Sequence, residues 1–291
     1  MPRILTLVAA RNATTLLPGT IARVRDAVQG GAPTVLSPGE AVDIPCPAAP
    51  DLAVVRAALD GAPVDALAVR SRGRRKALLV ADMDSTIVTG ETLDDLAAHA
   101  GMQERVAAIT ARSMNGEIDF REALRERVAL LRGLDLAALE ATWAQVRLTP
   151  GAATLVATMR AHNAATALVS GGFTFFASRV AALAGFEAHR ANTLLDDGAA
   201  LTGEVAEPIL DGDAKLAALE ELATARGVKL GATLAVGDGA NDLPMLAAAG
   251  LGVAFHARPV VAGAARHRVD HADLRALLFA QGYAAEQFVE G

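Results

Sequence analysis

The sequence predicts an α/β protein: a parallel sheet covered by helices, broken by a helical insertion and preceded by a small α+β unit. Three observations predict it. Beyond residue 75 the apolar runs "KALLVAD", "ATALVSG", "ATLAVGD" and "LGVAF" alternate with helical segments, the pattern of a parallel sheet buried on both faces. The composition is 52% hydrophobic but only 3% aromatic, so the core falls to Ala, Val and Leu, which suits layered helices and sheets. A basic, glycine-containing link, "RSRGRRK" at 70–76, separates this alternation from a different pattern ahead of it. The 291 residues are enough for two units. The expected division is 1–74 for the first unit, 75–90 with 150–291 for the parallel-sheet core, and 91–149 for the insertion.

In chain order, residues 4–9 read as a strand, "GTIARVRDAVQGG" as a helix ended by glycine, "AVDIPC" as a strand, "DLAVVRAALDG" as a helix and "DALAVR" as a strand. After the link, "KALLVAD" is the first core strand. The charge-rich helical stretch 91–149 then interrupts the alternation, as a cap over the strand ends would. The helices "GAATLVATMRAHN", "SRVAALAG" and "DAKLAALEELATARG" follow between the later strands, and the Asp-Gly of "LLDDGAALTGEV" marks a hairpin.

Charge and cysteine content narrow the function. A net charge of -6 provides no field for a nucleic-acid backbone, so the expected ligand is a small molecule. Cys46 is the sole cysteine, which excludes an internal disulfide and a cysteine metal cluster and suits a reducing, cytoplasmic setting. The N-terminal "ILTLVAA" is too short for a signal peptide's apolar region or a membrane span, so no membrane association is expected. His267 and His271 stand four apart without further ligands and read as surface residues rather than a metal site.

Ligands of open parallel sheets bind beyond the carboxyl ends of the strands, and those ends carry Asp82 with Asp84, then Ser170, then Asp238. Two acids at i and i+2 share one pocket only if the backbone bends after the first. One then attacks while the other moves protons: a carboxylate nucleophile forms an acyl-phosphate from a phosphate ester, and its neighbour serves the leaving alcohol and then the water. Clustered carboxylates repel a phosphate dianion, so a divalent cation is required, and Asp238 and Asp242 in "VGDGANDLPML" supply the oxygen ligands that magnesium prefers. Taken singly, each aspartate is a cap or turn former; four aimed at one sheet edge are not. Lys215 lies early in its helix, where the macrodipole disfavours a cation, so an anion is expected beside it. With Ser170 and the Gly171 and Gly172 backbone it would surround a phosphate.

The motifs "DMDST", "SGG", Lys215 and "GDGAND", in that order, resemble the haloacid dehalogenase superfamily and, within it, the phosphoserine phosphatase family, over roughly residues 75–291. The resemblance implies a Rossmann-like core with Asp82 as nucleophile and Asp84 as acid/base. It implies Mg2+ held by Asp82, the Asp84 backbone carbonyl and Asp238, with Asp242 in support. Ser170, Gly171 and Lys215 would hold phosphate, and Asn241 would line the site. Residues 1–74 look like the degenerate ACT-type domain found ahead of some of these phosphatases, by element order alone. Whether such a unit binds an amino acid or mediates a homodimer is left open.

The cap helix "FREALRERVALLRG" allows a separate test. At about 100° per residue from Phe120, Leu124, Val128 and Leu131 form one apolar face, and Arg127 falls inside it at about 340°. Arg121, Arg125 and Arg132 cluster at the edge of that face and beyond, where solvated arginines belong. Arg127 therefore needs an anion: either a cap acid in a structural ion pair or a substrate carboxylate, for which its planar fork is suited. Glu91 is either a favourable charge in a first helical turn or a partner for a substrate ammonium. In the family resembled, the matching glutamate and arginine contact the amino and carboxylate groups, and residues matching Met114 and Phe120 close the pocket. Phosphate, ammonium and carboxylate sites together describe O-phosphoserine, hydrolysed in the last step of serine biosynthesis. The alternatives are another small-molecule phosphatase or phosphotransferase of the same fold, which would lack Glu91 and Arg127, and a phospho-aspartate signalling receiver, which needs neither Asp84 nor a cap.

Overall fold

In the computed structural model, which describes residues 2–11 and 13–291, the side chains of the first strand divide by parity. Strand β1 (Arg3–Ala9) directs Leu5, Leu7 and Ala9 to one face and Ile4 and Val8 to the other. The first face is covered by helices α1 (Pro18–Ala27), through Val24, and α2 (Leu52–Leu59), through Val55 and Leu59. With β2 (Thr34–Ser37), β3 (Ala41–Cys46) and β4 (Val64–Arg70), β1 forms an antiparallel sheet in the order β2-β3-β1-β4. Strand β2 is absent from the expectations above. It is a four-residue edge strand with only Leu36 and Ser37 buried, too short for an alternating pattern to register.

The chain then enters β5 (Leu78–Ala81) and leaves it for the insertion: α3 (Thr92–His99), α4 (Gln103–Met114), α5 (Phe120–Ala129) and α6 (Ala137–Trp143). It continues through α7 (Ala152–Ala161), β6 (Ala165–Phe173), α8 (Thr174–Ala184), β7 (Ala188–Asn192) and the hairpin β8 (Leu194–Asp196) to β9 (Leu201–Val205). The last part is α9 (Gly212–Ala225), β10 (Thr233–Gly237), α10 (Leu243–Ala248), β11 (Leu251–Phe255), α11 (Pro259–Ala264), β12 (His267–Val269) and α12 (Ala276–Ala280). Six strands form one parallel sheet in the order β12-β11-β10-β5-β6-β7. Leu78 and Val80 pack with α9, α10 and α11, whereas Leu79 and Ala81 pack with α7, α8 and α12. Burial on both sides makes the strand a continuous apolar run. The outer strands β7 and β12 escape a sequence reading because they are short and carry His, Arg and Asn.

The second face of the first sheet, with Val8, Leu36, Ala41, Leu67 and Val69, shares a core with the α12 side of the parallel sheet. The basic link 70–76 is pinned where the chain crosses between sheets: Arg74 pairs with Asp43 at 2.5 Å and donates to the carbonyls of Phe279 and Ala280. Asp65 accepts the backbone N–H groups of Asp270, His271 and Ala272. His267 is buried beneath β4, with Nε2 at 3.2 Å from the Ala68 carbonyl, rather than at the surface; only His271 is exposed. Neither belongs to a cluster able to hold a metal among the described residues.

Candidate active site

Asp82 extends the pairing of β5 by one residue, its N–H donating to the Val236 carbonyl on β10 at 2.9 Å. The chain then winds through a wide turn over Met83–Ile87, in which Ser85 adopts a left-handed φ of 53°. This is the bend that two acids at i and i+2 require, and Asp82 and Asp84 line the same pocket. Asp84 is fixed from the cap side, where its Oδ1 accepts the Thr92 N–H at 3.0 Å. Its Oδ2 passes so close to Gly172 that a Cβ there would lie 2.7 Å away, which accounts for glycine at that position. At the end of β6, the Ser170 hydroxyl accepts the Gly172 N–H at 2.9 Å, which shapes the "SGG" turn.

Lys215 is fully buried, with Nζ at 2.7 Å from both Asp82 Oδ1 and Asp242 Oδ1. Burial opposes its charge, but the Asp242 and Asp82 carboxylates outweigh that and hold its pKa above the usual lysine range. The anion expected beside this lysine is thus supplied by two carboxylates. The other oxygen of Asp242 accepts the N–H groups of Asp238 and Gly239, so Asp242 braces the "GDGAND" loop with both oxygens. Asp238 receives the Thr86 hydroxyl on Oδ1 at 3.1 Å. Asp82, Asp238 and Asp242 each bring one carboxylate oxygen within 4.8 Å of the others. Desolvation, then the charge of Asp242, raises the Asp82 pKa to about 7, and Asp238 is raised well above the ordinary range. Buried hard-oxygen donors with one lysine against three carboxylates fit a small divalent cation such as Mg2+.

The cap closes the pocket. Glu91 accepts the Ser85 hydroxyl at 2.5 Å, and burial, then the Asp84 charge, raises its pKa to about 8. Arg127 is 7% exposed, and no carboxylate lies within 4.0 Å of its guanidinium among the described residues. Among the described residues no cap acid therefore makes the direct ion pair considered above. Phe120 lies over Gly171, where a Cβ would come 2.7 Å from the ring, and Asn241 completes the wall. The Met114 side chain lies outside the described residues. Arg121 and Arg125 on α5 and Arg132 just beyond it, about half exposed or more, face Asp211, Glu207 and Glu204 at 2.6, 2.6 and 3.9 Å, so the outer side of this segment is tied to the core.

Several lining residues were not anticipated: Leu93 and Leu124, and above all Thr110 and Ser113. A signal for the last two exists. They stand at i+4 and i+7 from Val106 on the buried stripe of α4, polar residues where the period demands apolar ones, as with Arg127 on α5. Thr86 gave no such signal, because its role depends on β10 arriving beside β5.

Residues 79–247 match the haloacid dehalogenase-like hydrolase family. The chain belongs to that family. It is 44% identical over 199 residues to a phosphoserine phosphatase of Streptococcus thermophilus, a match covering 68% of this chain and 93% of that protein. It is also 44% identical over 236 residues to a phosphoserine phosphatase of Streptomyces coelicolor, covering 81% of this chain but 57% of that longer protein. Among solved structures, a phospho-aspartyl intermediate analogue of phosphoserine phosphatase superposes with a TM-score of 0.68 at 36% identity, covering 70% of this chain and 98% of that one. The family match takes in β5, the cap and every residue placed in the pocket above. Among the described residues no helix is long and apolar enough to cross a membrane.

Proposed function

We propose that this hydrolase cleaves O-phospho-L-serine to L-serine and phosphate in a Mg2+-dependent reaction, as the last step of serine biosynthesis in the cytoplasm. One observation carries the choice of substrate: a buried guanidinium, Arg127, with no carboxylate in direct contact among the described residues, in a pocket that also holds Glu91 and the Asp82 and Asp84 pair. A buried guanidinium that no carboxylate touches directly is costly, so the site is built for a ligand bearing a carboxylate. The names of the relatives support the same reading.

In this reading the Asp82 carboxylate attacks phosphorus, the bond from phosphorus to the serine oxygen breaks, and Asp84 protonates the departing oxygen. Asp84 then takes a proton from the water that attacks the acyl-phosphate, which releases phosphate and restores Asp82. Burial places the Asp84 pKa at about 6, near the value an acid that later serves as a base requires. Ser170, the Gly171 N–H and Lys215 hold the phosphoryl oxygens, and Asn241 flanks them. Glu91 receives the substrate ammonium, Arg127 its carboxylate, and Phe120 covers it. Asp82, the Asp84 carbonyl and Asp238 would hold the cation, with Asp242 in support; when bound, it neutralises the clustered charge and polarises the phosphate. Segments 75–90 and 150–291 carry the chemistry, 91–149 selects the substrate, and 1–74 forms an N-terminal domain packed on the α12 side of the core.

Phosphate release measured on O-phosphoserine, O-phosphothreonine and sugar phosphates, with and without Mg2+, tests the proposal. A kcat/KM for O-phosphoserine well above the others, lost on chelation, is expected. An equal or greater value for a sugar phosphate would overturn it.

A further inference from the structure

A guanidinium has five N–H groups, and two of those of Arg127 are committed: Nε donates to the Ala123 carbonyl at 3.2 Å, and Nη1 to the Thr110 hydroxyl at 3.0 Å. Thr110 is 2% exposed and sits on a different cap helix, α4. Its hydroxyl has one proton, which it gives to Asp94 Oδ1 on α3 at 2.7 Å. The direction of that bond matters: with its proton held by Asp94, the hydroxyl can present only lone pairs to Arg127. The negative charge of Asp94 thus reaches the guanidinium through an oxygen that accepts one N–H. A carboxylate at position 110 would instead close the fork bidentately and compete with any ligand. The relay runs across α3, α4 and α5 and leaves Nη2 uncommitted among the described residues.

We propose that Thr110, oriented by Asp94, is a positioning residue that holds Arg127 ready for the substrate carboxylate and so sets the preference for a phosphate ester bearing an α-carboxylate over one lacking it. This rests on the phosphoserine reading above. O-phosphoethanolamine is the matching probe, since it is O-phosphoserine without the carboxylate.

The readout is the ratio of kcat/KM for O-phosphoserine to that for O-phosphoethanolamine. Thr110→Val keeps the shape and removes both hydrogen bonds, and it should lower the ratio by about tenfold or more, chiefly through KM for O-phosphoserine, because a hydrogen bond to a charged group is lost. Thr110→Ser should restore the ratio. Asp94→Ala, at a half-buried position, is the second arm should Thr110→Val fold poorly, and it should lower the ratio in the same direction. Two results separate the failures. A wild-type enzyme that does not favour O-phosphoserine would overturn the substrate reading and this inference with it. A wild type with that preference, retained by Thr110→Val or by Asp94→Ala, would overturn the inference alone.

Discussion

The Lys215 ammonium lies 2.7 Å from Asp82 Oδ1, deep enough that the lysine has no solvent exposure. Three buried carboxylates surround that single positive charge, so Lys215→Met should leave them uncompensated. Breaking a buried pair costs about 3–5 kcal/mol. Urea titration at neutral pH should show a loss of that order in the metal-free protein, together with loss of activity. A loss below about 1 kcal/mol would mean that the pair contributes little to folding.

Asp82→Asn should abolish turnover, since an amide does not attack phosphorus as a carboxylate does. The wild type should be trapped by beryllium fluoride as an acyl-phosphate mimic, whereas the variant should not. Full activity in freshly purified, non-deamidated Asp82→Asn would exclude the covalent route.

Asp84→Asn should separate the two proton transfers. The serine oxygen leaves poorly without a proton, so the first step with O-phosphoserine should slow by about 10² to 10⁴. The phenolate of p-nitrophenyl phosphate needs little protonation. Rapid mixing of the variant with that substrate should give a burst near one equivalent followed by slow turnover. Undiminished steady-state rates for both substrates would show that Asp84 does not carry the proton.

Burial raises the pKa of Asp84 to about 6, of Asp82 to about 7 and of Glu91 to about 8. Between about pH 4 and pH 8 the folded, metal-free protein therefore binds more protons at these groups than the unfolded chain, and their contribution to stability is lost as pH rises. A cation that binds the deprotonated carboxylates acts in the opposite sense. In chelator, the melting temperature should fall from pH 5.5 to pH 8, and the rise produced by Mg2+ should grow over the same interval. A Mg2+ effect that shrinks with pH would contradict the carboxylate site.

A fragment starting at Lys76 keeps every residue assigned to the reaction. It exposes the α12 side of the core, which Val8, Leu67 and Val69 cover in the full chain. The fragment should retain Mg2+-dependent phosphatase activity with reduced solubility. A soluble, well-folded fragment without activity would show that residues 1–74 contribute to the site.

The sequence by itself determined the parallel α/β core, because strands buried on both faces must be apolar runs and their polar ends then stand out: Asp82, Ser170 and Asp238 were legible for that reason. It determined Arg127 as well, since a charge at an apolar helical phase shows in the period of one helix. What only the tertiary structure decided are relations between elements distant in the chain. Local pattern does not reveal that Thr86 on the turn after β5 bonds Asp238 just past β10, or that Thr110 on α4 stands between Asp94 on α3 and Arg127 on α5. Nor does it reveal that the outer arginines of α5 and the turn after it meet acids at 204–211, or that His267 lies beneath β4. Periodicity fixes which face of an element is buried; which partner that face meets depends on how the sheets and cap close on one another, and most of these hydrogen bonds exist only after they do.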